Sequence, residues 1–135
     1  MNSILITLLF TFSFAAVVHG QSDQDTSSED DALVHTVYFW FFDEVSEEEH
    51  ANFYEELKKL KTIEQIRHGW IGVPAATEER GVIDNTYDYS ITFVFDDEAA
   101  EHEYQVHPVH LEFIENNSHL WSNVVVYDAV TPDAQ

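Results

Sequence analysis

A chain of 135 residues has room for one compact domain and not for two. Five Lys and Arg stand against 26 Asp and Glu, a formal charge of −21 that argues against nucleic acid and anionic lipid as partners, because both are held by bases that displace counterions. Cysteine is absent, which excludes disulfides, thiolate nucleophiles and lipid attachment through a thioether.

The first element in chain order is the apolar run Ile4–Val18, followed by Val18 and Gly20 at the −3 and −1 positions of a cleavage point. This predicts a secretory signal peptide over residues 1–20. The run is short for a membrane span, and its leading segment has only the terminal amine as a positive charge, so an uncleaved anchor is the competing reading. Cleavage makes the mature chain secreted or periplasmic, with no stable membrane association. Residues 21–32 hold five acids and no large apolar side chain, the composition of a disordered linker. All five bases fall between Lys58 and Arg80.

Next, LVHTVYFWFF (Leu33–Phe42) is apolar, aromatic and β-branched, and predicts a strand. One face carries His35, Val37, Phe39 and Phe41, the other Thr36, Tyr38, Trp40 and Phe42; neither is polar enough for open solvent. SEEE (Ser46–Glu49) is a capping box, opening a helix to Leu60 that buries Phe53, Leu57 and Leu60. IRHGWIGV (Ile66–Val73) predicts a second strand and TYDYSITFVF (Thr86–Phe95) a third, with Tyr87, Tyr89, Ile91, Phe93 and Phe95 on one face. Asp96 then caps a short helix through Tyr104. His107 precedes Pro108 and is driven out of helical geometry, while the proline suits the first turn of a helix to Asn117. WSNVVVYDAV (Trp121–Val130) is the last strand, and residues 131–135 form a tail.

The order β-α-β-β-α-β predicts an α+β, ferredoxin-like domain, a four-stranded antiparallel sheet with helices on one face. The other face would expose Thr36, Tyr38, Trp40 and Phe42, a larger apolar patch than monomers usually show. A second copy packed sheet to sheet would bury it, which predicts a homodimer about a two-fold axis, a dimeric α/β barrel.

These stretches, with YQVHPVH (Tyr104–His110) ahead of the last strand, resemble the stress-responsive α/β-barrel (Dabb) family from Leu33 to Val130. The resemblance implies the ferredoxin-like fold and dimerisation, and brings the expectation of a stress-related role. The plant polyketide cyclases similar to this family, such as olivetolic acid cyclase, close a linear poly-β-ketone by aldol condensation without a cofactor. Their working residues match Tyr104 and His110 here, with His35 lining the same cavity. A further histidine of that pattern falls at Tyr89, a departure that points to a different ligand.

The chemistry of those side chains is consistent with this reading. An aldol closure needs a base to take a proton α to a carbonyl, and a donor for the oxygen that gains charge. Histidine serves as the base near neutral pH and a tyrosine hydroxyl as the donor. The candidate catalytic group is His110 and Tyr104, with Asp128 on the last strand placed to orient His110. His35, Phe39, Phe41, Tyr89 and Phe113 are the expected walls of a pocket for a small hydrophobic or aromatic ligand. Structural readings stand beside these. His107 reads as serving the helix junction, His110 equally as a structural hydrogen-bonding group, His35 as a satisfied core histidine, and His50 and His102 as surface residues. A metal clip of His107, His110 and a carboxylate is disfavoured by the intervening proline, and neither metal nor cofactor is expected. Asn116-Asn117-Ser118 is a glycosylation acceptor if the source is eukaryotic.

Overall fold

A computed structural model describes residues 32–132. The expected signal peptide, nearly all of the acidic linker and the last three residues lie outside the described part. The elements are β1 (Leu33–Phe41), α1 (Glu47–Leu60), β2 (His68–Gly72), β3 (Tyr89–Phe95), α2 (Glu98–Gln105), α3 (Pro108–Asn117) and β4 (Trp121–Ala129). The sheet order is β2-β3-β1-β4 and every pairing is antiparallel. This is the α+β, ferredoxin-like arrangement read from the sequence.

Alternation along β1 sets the layers. Leu33, His35, Val37, Phe39 and Phe41 are buried, while the residues between them are half-buried. Opposite them across β3 lie Ile91, Phe93 and Phe95, and α1 lays Phe53, Leu57 and Leu60 over the same face. Each of these side chains, taken fully from water, contributes roughly 1.5–3 kcal/mol. The fit is close at Gly69 on β2, where an added Cβ would stand 2.9 Å from Phe93 Cδ1.

The helix ends follow their sequence signals. Ser46 and Glu49 cap each other: the Ser46 amide donates to Glu49 Oε2 at 2.8 Å and the Glu49 amide to Ser46 Oγ at 3.3 Å. His107 is the N-cap of α3, its Nδ1 accepting from the Val109 amide at 3.2 Å, with Pro108 in the first turn. Three local expectations change. The cap of α2 is Asp97, which accepts from the Ala100 amide, whereas Asp96 receives Arg67. His50 is half-buried, with its ring 4.7 Å from Phe41.

The third change is at Tyr87, which does not share the inner face with Tyr89. The β3 ladder starts only at Tyr89, because the Asp88 amide donates to the Phe39 carbonyl and the Asp88 carboxylate accepts from the Phe41 amide. The chain before it crosses over, and Tyr87 packs on Tyr38 of the outer face with ring centroids 4.9 Å apart. That outer face carries Tyr38, Trp40, Trp70 and Tyr127, the last two 59% and 62% exposed.

Candidate functional site

Between the β1–β4 side of the sheet and helices α2 and α3 lies a cavity of about 150 Å³. Its walls are mostly apolar: Val37, Phe39, Ile91, Phe113, Trp121 and Val124 among them. His35 from β1, Tyr104 and Gln105 from α2 and His110 from α3 join them, and the Gln105 side chain is engaged with Glu101 through its Nε2. The Tyr104 ring is the hub, its centroid 5.9 Å from that of His35 and 4.6 Å from that of His110. The helix break at His107–Pro108 brings Tyr104 and His110 to one place, because α3 restarts in a new direction directly after α2 ends.

Tyr104 is 1% exposed, and burial pushes its phenol well above its ordinary value, so it stays protonated and acts as a donor. Its hydroxyl makes no hydrogen bond with another described residue. His110 is half-buried, and desolvation lowers its pKa below the ordinary 6.5, an effect that the Gln105 carbonyl partly offsets. That carbonyl lies 3.0 Å from His110 Nδ1 and can only accept, so Nδ1 carries the hydrogen and Nε2 holds the lone pair of the neutral ring.

Asp128 does not orient His110. It stands directly across the ladder from His35, and its Oδ1 is 2.6 Å from His35 Nδ1. The β1–β4 register places the carboxylate there, while His110 on α3 takes its hydrogen bond from the helix junction. This contact holds Nδ1 of His35, a residue only 4% exposed, against the Asp128 carboxyl and leaves Nε2 as its other ring nitrogen. Two histidines therefore reach the cavity, each with Nδ1 engaged and Nε2 as its remaining nitrogen.

Of the expected pocket residues, His35, Phe39 and Phe113 line the cavity, and Phe41 and Tyr89 do not. Those two pack with His50 and Phe53 at the other end of the core, where the Tyr89 hydroxyl donates to the His50 carbonyl at 3.0 Å. Trp121, Val124 and Val126 of β4 take that part instead. Their signal was the period of two that they share with Asp128, obscured at Trp121 by a register irregularity opposite Trp40 and Phe41. Among the described residues no group of three His, Asp or Glu is placed to hold a metal.

A ferredoxin-like sheet with a histidine- and tyrosine-lined cavity under its helices defines a class of small α+β domain, and comparison narrows it. The model of the Stress responsive A/B Barrel Domain (Dabb) matches residues 33–131, and the chain belongs to this family. A hydroxynitrile lyase from Passiflora edulis is similar in structure, with 15% identity, a TM-score of 0.65, and coverage of 77% of this chain and 96% of that one. A Dabb family protein from Mesorhizobium loti shows 23% identity, a TM-score of 0.60 and coverage of 73% and 95%. A dimeric ferredoxin-like protein of unknown function from Thermobifida fusca shows 20% identity, a TM-score of 0.61 and coverage of 73% and 90%. No curated protein matches the chain.

Proposed function

We propose that this is a secreted or periplasmic Dabb protein, active as a homodimer, that binds a small aromatic or hydrophobic ligand bearing a carbonyl or hydroxyl oxygen. The convergence of Tyr104, His35 and His110 on one apolar cavity carries the reading. Size limits the ligand, since a dry cavity of about 150 Å³ accepts a molecule such as benzene. One ring with short substituents fits, and a long polyketide chain does not. The apolar walls supply affinity, and the Tyr104 hydroxyl and the two Nε2 atoms fix the oxygen end. Secretion rests on the apolar run Ile4–Val18. Dimerisation rests on the aromatic outer face and on the dimeric relative of the same fold.

Mass spectrometry of organic extracts from the natively purified protein tests the ligand directly, followed by thermal shift with benzaldehyde, phenol and a long-chain β-diketone. The small aromatics should raise the melting temperature and the long diketone should not. A protein that carries nothing and responds to none of them would refute the reading.

The site geometry also favours a second reading, a cofactor-independent lyase or aldol-type cyclase acting on small carbonyl compounds. Tyr104 would donate to the carbonyl oxygen while a histidine Nε2 takes the proton from the reacting carbon or hydroxyl, and returns it when the carbon–carbon bond has formed or broken. The lyase of Passiflora edulis shows that the fold can house an enzyme. Cleavage of mandelonitrile to benzaldehyde and hydrogen cyanide, the cyanide leaving with the proton that the histidine took from the hydroxyl, is the assay for this reading, with a loss of about 100-fold or more expected in Tyr104→Phe.

A further inference from the structure

Across the sheet from that cavity, the strands turn no Asp or Glu to the outer face, in a chain that has 26 of them. Two copies of charge −21 repel each other, and a face without carboxylates is where they can meet most readily. One anion stands at its rim. A concavity of about 330 Å³ is lined by Tyr38, Trp40, Tyr87 and Tyr127, with Asp84 beside them. Trp40 Nε1 donates to Thr86 Oγ1 at 2.8 Å, and Thr86 Oγ1 donates in turn to Asp84 Oδ1 at 2.7 Å. The Thr86 hydroxyl and amide hold the Asp84 carboxyl below its usual range, so it is an anion at neutral pH. No Lys or Arg among the described residues pairs with it. Closed between two sheets, this corner would leave a carboxylate unpaired against ring faces, which is costly unless the second copy brings a cation.

The chain has five bases, and four are placed elsewhere. Lys58 pairs with Glu55, Lys59 with Glu56 and Arg67 with Asp96, while Lys61 caps the end of α1 on the helix side of the sheet. Arg80 remains. It is exposed, and its side chain makes no ion pair with any described residue, its neighbours Glu78, Glu79 and Asp84 included. It sits in the connection over residues 73–88, which has no helix or strand and carries Asp84 to the outer face. A turn closed from the Ile83 amide to the Arg80 carbonyl, at 2.9 Å, forms the tip of that connection. The tip stands clear of its own domain: Val82 is 90% exposed, and an added Cβ at Gly81 would meet nothing within 4 Å. A free cation and a free anion on one loop, unpaired within the chain, suit a two-fold contact, where whatever one copy offers the other receives in return. A guanidinium is also the base best fitted to the corner, because it stacks on ring faces and presents paired N–H groups to a carboxylate. We propose that the occupant of the concavity is a second copy of this chain: Arg80 of the partner subunit lies against the rings and pairs with Asp84, and the reverse pairing completes the two-fold. The inference rests on the homodimer proposed above and adds the charges that set its register.

Two charge reversals in the full chain test it by sedimentation. Arg80→Asp makes both positions negative and Asp84→Arg makes both positive, so each variant repels itself across the two-fold. Each should weaken the dimer about tenfold or more. Both positions are exposed, so the far-ultraviolet circular dichroism of each variant should stay native. Asp84→Asn, which keeps the oxygen that accepts from Thr86, should weaken the dimer by less. Mixing the two reversals restores an attractive pair at both contacts of a mixed dimer, and its dissociation constant should return to within a few-fold of the native value. Lys61→Glu, an equal change of charge on the helix side, should leave the dimer as it was. A native dimer that neither reversal weakens, or a mixture no tighter than its parts, overturns the pairing and leaves the homodimer standing. Rescue of Asp84→Arg by Lys61→Glu as complete as by Arg80→Asp reduces the effect to net charge and overturns the pairing as well. A native chain that stays monomeric at every concentration overturns the homodimer, and the pairing with it.

Discussion

The two faces of β1 are built from the same nine-residue run and do opposite things. On the inner face, Val37, Phe39 and Phe41 are closed into a core by α1 and α3, and the lone polar side chain, His35, is matched by Asp128. On the outer face Thr36, Tyr38 and Trp40 meet only other side chains of the sheet and its loop, and remain half-buried. Burial makes the inner face unforgiving and gives its few polar atoms strong chemistry. Aromatic but open, the outer face draws its energy from whatever comes to cover it. The contrast separates stability from recognition, and each can be broken alone.

The largest effect belongs to the inner face. Phe53 is fully buried, with the rings of Phe39, Phe41 and Phe113 within 5.4 Å of its own. Phe53→Ala should cost about 3–5 kcal/mol in urea unfolding, through lost burial and the cavity left behind. The matching truncation outside, Tyr127→Ala, should cost the monomer less than about 1 kcal/mol. Comparable losses at the two sites would erase the distinction between the faces.

Next comes assembly. Trp40→Glu places a charge in the centre of the outer face, and a charge buried there without a partner is costly. If the native protein is the dimer proposed above, sedimentation should show the variant as a monomer. If the variant remains a stable dimer, the face assignment is wrong.

The faces themselves were legible in the chain, because a period of two over Leu33–Phe41 and Tyr89–Phe95 dictates which side chains share a side. Helix ends were legible where a short-range motif decides them, as in Ser46–Glu49 and His107–Pro108. Pairings between distant strands were not. Whether Asp128 meets His35 or His110 is set by a β1–β4 register joining residues 93 apart, which no local pattern encodes. Tyr87 was misplaced for a related reason: the alternation of TYDYS runs unbroken through it, and only hydrogen bonds exchanged between Asp88 and β1 show that the strand has not yet begun. Tyr104 and His110 came to one cavity as the resemblance implied, while the walls on β4 went unseen.

His107 and His110 offer a finer contrast within one turn of chain. His107 caps α3 and does not line the cavity. His107→Ala should cost about 1 kcal/mol of stability, the usual loss for an N-cap, and leave ligand binding as it was. Circular dichroism melts beside the benzaldehyde thermal shift would show a purely structural role, or deny it if binding falls as well.

The smallest effect is a slope, and it isolates His110. Desolvation holds its folded-state pKa below 6.5, so between the two values the unfolded chain binds a proton that the native chain refuses. The neutral ring's contribution to stability is therefore complete above about pH 6.5 and is lost as the pH falls through the folded value. Charges around it also act on the ring: Glu101 favours its charged form, and His35 and His107 oppose it. Subtracting the pH–stability curve of His110→Gln from that of the native protein cancels most of these, since the variant keeps them all and removes only the titrating ring. The difference should be flat above pH 7 and bend downward below about 6.5, native losing stability relative to variant. A benzaldehyde affinity that follows the same bend would tie the neutral ring to the ligand. Parallel curves throughout would mean that His110 is as well solvated in the native protein as in the unfolded chain, and the enclosed cavity around Tyr104 would have to be abandoned with it.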